Sequence, residues 1–283
     1  MNDDPVEVIS HASGEWFLAV NSDVIYRYKN VYQGVKIFER YSLAEQDRVW
    51  RTETFPGDPD VCRWLSSTTS FFFAPYKTYN KLSMGHVDEM GVLRETPIAL
   101  DKDVKVVLPD QGQDGDVFYI KQVEDSDSFT FYYRQRGQRA VEIANVPDDL
   151  DETTFKGCLG YKGALYWFTP TTDSPPNSII NRLDSLGDIR RVELENMPFF
   201  EKLRAMHLVP DGLGNLVTTR VFTLYAIDTN ELSCYTQDLQ NAYLRVFGAT
   251  SQGQLIATQL PKRDNTAEIT IVKLSPNIQI PNE

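Results

Sequence analysis

Three histidines, His11, His86 and His207, are the chain's whole supply of imidazole. A metal site or a Ser-His-Asp triad needs such side chains to converge. These three fall at differing points of a repeat set out below, so two solvated histidines and one core histidine are expected. Asp110-Gln111-Gly112-Gln113-Asp114-Gly115 carries part of an Asp-x-Asp-x-Asp-Gly calcium loop. Gly112 stands at the third ligand position, and Lys121 stands where an EF-hand has its bidentate acid. A turn between strands is the simpler reading, and neither metal nor cofactor is expected. Acids also cluster at Glu124-Asp125-Ser126-Asp127 and Asp148-Asp149-Leu150-Asp151-Glu152. Glycosidases hold two carboxylates about 5–10 Å apart across a cleft. Nothing in the sequence places either cluster in a pocket, so no catalytic residue is assigned and the chain is read as a non-enzyme. Arg134-Gln135-Arg136-Gly137-Gln138-Arg139 is a small basic patch suited to a phosphate or carboxylate. Its place between two strands reads first as a hairpin turn.

Charge and cysteine usage narrow the partners. Lys and Arg number 28 against 40 Asp and Glu, a net charge of −12. A chain this acidic repels polyphosphate at long range, so nucleic acid is not expected. No window reaches the roughly 18 apolar residues of a membrane span. The acidic start Met1-Asn2-Asp3-Asp4-Pro5 has no apolar stretch of the secretory kind, so no signal peptide is expected. Cys62, Cys158 and Cys234 are far apart and form no Cys-x-x-Cys pair. With no glycosylation sequon, they point to a reducing intracellular compartment, cytoplasmic or nuclear.

The elements that must position these residues repeat along the chain. In each block a glycine turn leads into an aromatic and β-branched run, then a polar loop, a second strand, a tight turn and a third strand. The clearest copy has Gly163, Leu165-Tyr166-Trp167-Phe168, a loop with Pro175-Pro176, Ser178 to Leu183, the turn Asp184-Ser185-Leu186-Gly187, and Arg191-Val192-Glu193-Leu194. Other copies open at Gly115, Gly214 and Gly253, with weaker ones at Gly14 and at Phe71-Phe72-Phe73, which lacks the glycine. Each block has a further apolar stretch before its glycine, beginning with Val6 to Ile9. The strand that follows the glycine starts near 17, 71, 118, 165, 216 and 255, giving spacings of 54, 47, 47, 51 and 39. Four strands at a period of roughly 40–50 are the signature of a β-propeller. Radial stacking buries that strand on both faces, so its run should be continuously apolar while outer strands alternate.

The fold expected is therefore all-β: a single propeller over 1–283, of six blades with about four antiparallel strands each. The blades lie roughly at 5–41, 61–99, 104–146, 156–196, 203–237 and 243–281, with an insertion at 42–60. Ser42-Leu43-Ala44-Glu45 has the form of a capping box. It predicts a short helix over Leu43 to Arg51, ended by Pro56-Gly57-Asp58-Pro59. Leu165-Tyr166-Trp167 followed by Arg182-Leu183-Asp184 and Gly187 resembles a blade of the YWTD or NHL propeller families. That resemblance covers one block of six and implies the architecture only.

Propellers host binders, lectins and enzymes alike. The reading preferred here is a non-enzymatic interaction module or scaffold subunit of an intracellular complex. Its expected partner is another protein or peptide of acidic character. Loops joining second to third strands begin with or contain Lys77, Lys121, Arg220, Lys262 and Arg263. Turns at the opposite strand ends carry Asp88, Glu89, Asp110, Asp114, Asp184, Asp188, Asp211, Asp228 and Glu231. Such polarity would orient a charged partner. Trp50 and Arg51, at the end of the predicted helix, are of the types favoured in binding hot spots. The alternatives are a carbohydrate-binding lectin and, after it, a hydrolase. The wealth of aromatics is similar to fungal fucose-binding propellers, yet no Arg, Glu and Trp recur at one blade position.

Overall fold

A strand covered on both faces needs an unbroken apolar run, and such runs mark the inner strands here. The computed structural model describes residues 6–13, 19–21, 24–30, 36–42, 47–52, 63–64, 70–73, 82–87, 92–98, 104–111, 116–124, 128–147, 158–199, 208–220, 222–239, 244–249, 253–259 and 268–274. After β1 (Val6–Ser13), four strands pair in chain order: β2 (Ala19–Asn21), β3 (Val24–Asn30), β4 (Lys36–Ser42) and β5 (Asp47–Thr52). The next sheet is β6 (Arg63–Trp64), β7 (Ser70–Phe73), β8 (Leu82–Val87) and β9 (Leu93–Ile98). The third is β10 (Val104–Pro109), β11 (Val117–Gln122), β12 (Phe129–Arg134) and β13 (Val141–Asn145). The fourth is β14 (Leu159–Tyr161), β15 (Ala164–Pro170), β16 (Asn177–Asp184) and β17 (Ile189–Pro198). The fifth is β18 (Val209–Pro210), β19 (Asn215–Arg220), β20 (Thr223–Asp228) and β21 (Cys234–Asp238). The last joins β22 (Leu244–Ala249), β23 (Leu255–Gln259) and β24 (Glu268–Leu274) to β1, in the order β1-β24-β23-β22. Every pairing within these sheets is antiparallel.

Burial follows the expected gradient from inner to outer strand. Val117 to Ile120 in β11, Ala164 to Thr169 in β15 and Asn215 to Thr218 in β19 are buried without a break. The last strands β13, β17 and β21 are mostly exposed or half-buried. Tyr166 and Trp167 are 2% and 1% exposed, as the apolar run requires. Phe72 lies on β7 as expected, and its side chain is outside the described residues.

Two expectations are corrected. The stretch Val6 to Ile9, expected as the strand before the first block's glycine, lies in β1, which is not part of the first sheet. It runs beside β24, from Val6 opposite Leu274 to Ser13 opposite Glu268, as the outer strand of the last sheet. The first sheet therefore starts at β2, and its second strand is β3, not the run near 17. Val24 to Ser70 is then 46 residues, in line with the later spacings, so the long first interval disappears. Its supposed cause goes too. The helix predicted over Leu43 to Arg51 is replaced from Asp47 onward by β5, with Arg40 opposite Trp50 and Glu39 opposite Arg51. Pairing with a neighbouring strand overrides a local capping signal, because propensity is a weak prior against tertiary context.

The chain forms two units, 1–55 with 89–92 and 207–283, and 56–88 with 93–206. In the first, Val217, Leu224, Ala226, Leu244, Val246, Leu255, Ala257, Val272 and Leu274 make one apolar cluster. In the second, Phe131 on β12 meets Trp167 on β15, ring centroids 6.4 Å apart, so these two sheets share a core. Gly187, with φ 96°, closes the β16–β17 turn against β13; an added Cβ would lie 2.5 Å from the Ile143 carbonyl oxygen.

Candidate binding surfaces at the strand ends

Each second strand delivers its last residues to one end of its sheet. Lys121 is the penultimate residue of β11, opposite Thr130, and Arg220 is the last of β19, opposite Thr223. The two hold corresponding places in their sheets, and both are half-buried. The Lys121 ammonium lies 5.0 Å above the Tyr132 ring, which itself stacks on Tyr119 with centroids 5.3 Å apart. A cation over an aromatic face is steadied by the ring quadrupole, and its stem is covered rather than free. Burial lowers the pKa of the Arg220 guanidinium from its ordinary value, with Tyr225 acting in the opposite sense. Trp50 and Arg51 occupy neighbouring register positions on β5, and their side chains are outside the described residues. Lys77, Lys262 and Arg263 also lie outside the described residues.

The other strand ends are built from aspartates. Asp110 follows β10 directly and is fully buried. Its two carboxylate oxygens accept N–H bonds from Lys162 at 2.8 Å and Gly163 at 2.5 Å, in the β14–β15 turn of the next sheet. Lys162 and Gly163 both have positive φ, 49° and 77°, the geometry of a tight two-residue hairpin. The Gln111 N–H donates to the Gly160 carbonyl at 2.8 Å, and Asp110 bridges Gly160 in parallel sense. Asp116, 8% exposed, accepts from the Tyr133 phenol and from the Arg136 N–H, both at 2.7 Å. Burial first, then the Asp116 hydrogen bond and the charges of Asp110 and Asp116, drive the Tyr133 pKa far above its ordinary value, so the phenol remains a donor.

The same device recurs in the first unit. Asp211 follows β18 and is 5% exposed; it accepts from the N–H groups of Leu213 and Asn215 and from the Asn215 side-chain amide. Asp184 and Asp228 close the third strands β16 and β20. Asp184 accepts from the N–H groups of Leu186 and Asp188, and Asp228 from those of Asn230 and Glu231. These acids hold turns, and their oxygens face N–H and O–H donors rather than a cleft. Of the acids expected at these strand ends, Asp110 and Asp211 are buried, Asp184 and Asp228 half-buried, and Asp188 and Glu231 exposed, while Asp88, Glu89 and Asp114 are outside the described residues. The sequence carried a signal for the two buried ones in Pro109-Asp110 and Pro210-Asp211, which end the first strands of two blocks.

His11 lies on β1 opposite Thr270, His86 lies on β8 opposite Ser70 and Arg94, and His207 is outside the described residues. Among the described residues no three His, Cys, Asp or Glu side chains are grouped to hold a metal ion. Cys158 is buried and Cys234 half-buried, both as thiols in no disulfide, while Cys62 is outside the described residues. No helix among the described residues is long and apolar enough to cross a membrane.

The class these sheets define is all-β, built of four-stranded antiparallel units. No family model matches the chain, and no curated protein matches it. Solved structures do. The β-propeller domain of Cps50 (Swd1) from Myceliophteria thermophila is similar at a TM-score of 0.46 and 11% identity, covering 96% of this chain and 100% of that one. The acylaminoacyl peptidase of Pyrococcus horikoshii has a TM-score of 0.49 at 9% identity, over 94% of this chain and 46% of the peptidase. The β-propeller domain of the Trilobed protease from Pyrococcus furiosus, described as having an open velcro topology, has a TM-score of 0.42 at 12% identity over 95% and 83%.

Proposed function

We propose that the chain is a single six-bladed β-propeller that acts without chemistry of its own, as an intracellular interaction module or scaffold subunit. The observation that carries the reading is the repeated four-stranded meander, whose second strands are spent on burial. The first strand completes the last sheet, which suits a ring whose ends are pinned together by hydrogen bonds. The docking end is the one reached by second-to-third strand loops, with Lys77, Lys121, Arg220, Lys262 and Arg263, and with Trp50 and Arg51 at its rim. Support comes from Lys121 and Arg220 holding corresponding strand positions. The partner is a protein or peptide with acidic side chains, since a preset cation favours oppositely charged encounter.

The test is capture from cell extract with the parent chain and with the double reversal Arg220→Glu, Lys262→Glu, followed by association kinetics on the captured partner. The reversal should slow association and flatten its salt dependence while the melting temperature holds. A partner indifferent to that reversal, yet lost on substitution of Asp184 and Asp228, would reject this docking end.

A further inference from the structure

The turns around Asp110 and Asp116 bring exposed cations to the opposite strand ends of the second unit, away from Lys121. The β12–β13 hairpin presents Arg136 and Arg139 to solvent, and the β14–β15 turn presents Lys162. The two turns adjoin: an added Cβ on Gly163 would lie 3.8 Å from the Tyr133 hydroxyl, and that hydroxyl shares Asp116 with the Arg136 N–H. Several acids nearby hold the turns. Asp110 and Asp116 are buried on N–H and O–H donors, Asp184 accepts two turn N–H groups, and Glu142 accepts from the Tyr132 hydroxyl at 3.0 Å. Asp188 remains exposed beside them.

Apolar side chains flank these cations without cover. Val141, the first residue of β13 after the hairpin, is 61% exposed, and Leu186 in the β16–β17 turn is 85% exposed. The two belong to one surface, because Gly187 packs on the carbonyl of Ile143, two residues along β13 from Val141. Exposed aliphatic groups beside cations suit a ligand that has both characters.

We propose that this end of the second unit docks an extended protein segment that carries both carboxylates and aliphatic side chains. Carboxylates meet the guanidinium groups of Arg136 and Arg139, whose planar forks match them, and the Lys162 ammonium. Aliphatic side chains of the segment cover Val141 and Leu186. A net charge of −12 keeps long polyanions away, whereas a short segment meets only the local cations.

The experiment is fluorescence anisotropy of a labelled peptide of alternating glutamate and leucine, titrated with the full chain at low and physiological ionic strength. Saturable binding that weakens with salt is expected. Arg136→Glu with Arg139→Glu should weaken it at least tenfold, and Leu186→Ser several-fold without a change of charge. Arg136→Gln with Arg139→Gln serves the same purpose should the reversal fail to fold. Arg220→Glu, in the other unit, should leave this binding unchanged, which separates this surface from the docking end proposed above. The inference is overturned if the peptide does not bind, if the arginine variants bind like the parent, or if a glutamate-only peptide binds equally well.

Discussion

Asp110 gives the sharpest test of how the sheets are fastened. It is fully buried, and its carboxylate accepts the N–H groups of Lys162 and Gly163 at 2.8 Å and 2.5 Å. Hydrogen bonds to a charged group contribute about 1.5–3 kcal/mol each. Lys162 is exposed and Gly163 half-buried, so water partly replaces the lost acceptor. Asp110→Ala should therefore cost about 2–4 kcal/mol, below the sum of two full bonds. Asp110→Asn keeps one acceptor oxygen but sets an amide N–H₂ against the other donor, so it should fall between alanine and the parent. Asp184→Ala is the control: its carboxylate also accepts two N–H groups, but in an exposed turn where water serves both. Its cost should stay near 0.5–1 kcal/mol, roughly that of an exposed capping side chain. The assay is urea unfolding followed by tryptophan fluorescence, since Trp167 lies in the same unit. If Asp110→Ala and Asp184→Ala shift the midpoint equally, or if Asp110→Asn matches the parent, the carboxylate is not a fastener and the reasoning fails.

Gly187→Ala should destabilise by about 3 kcal/mol or more, since left-handed strain adds to a clash with the Ile143 carbonyl; Gly137→Ala, with φ 73° and open space, should cost only the strain of about 1–2 kcal/mol, and thermal melts of the pair will compare them. Burial pushes the Cys158 thiol well above its ordinary pKa of 9.0 and the Cys234 thiol up to about 12, so the unfolded chain releases protons that the folded chain keeps. Stability should fall as pH rises from about 9 toward about 12, and the fall should shrink in Cys234→Ala; urea midpoints across that range check it, and a flat profile refutes it.

What could be read from the sequence divides along physical lines. Inner strands such as Leu165 to Phe168 and Val117 to Ile120 are legible, because covering both faces demands an unbroken apolar run that few other structures need. Partnership is not. Val6 to Ile9 reads as the strand that opens the first block, and only the pairing of Val6–Ser13 with Glu268–Leu274, near the far end of the chain, reveals it as an outer strand of the last sheet. The capping box at Ser42 to Glu45 is a valid local signal, and β5 still forms because β4 supplies a ladder for Asp47–Thr52.

Charge misleads for a different reason. A count of aspartates at one set of strand ends suggests an acidic surface. An aspartate side chain, though, is short enough to reach turn N–H groups: Asp184, Asp211 and Asp228 bind those of their own turns, Asp110 those of the β14–β15 turn, and Asp116 that of Arg136 in the β12–β13 turn. Arginine and lysine have long stems and no acceptor to offer a turn N–H, so Arg136, Arg139 and Lys162 extend outward from the same turns. Turn N–H groups thus draw Asp110, Asp116 and Asp211 inward, while Arg136, Arg139 and Lys162 stay exposed. A chain with an excess of acids can in this way expose a local cluster of bases, and the composition gives no hint of it.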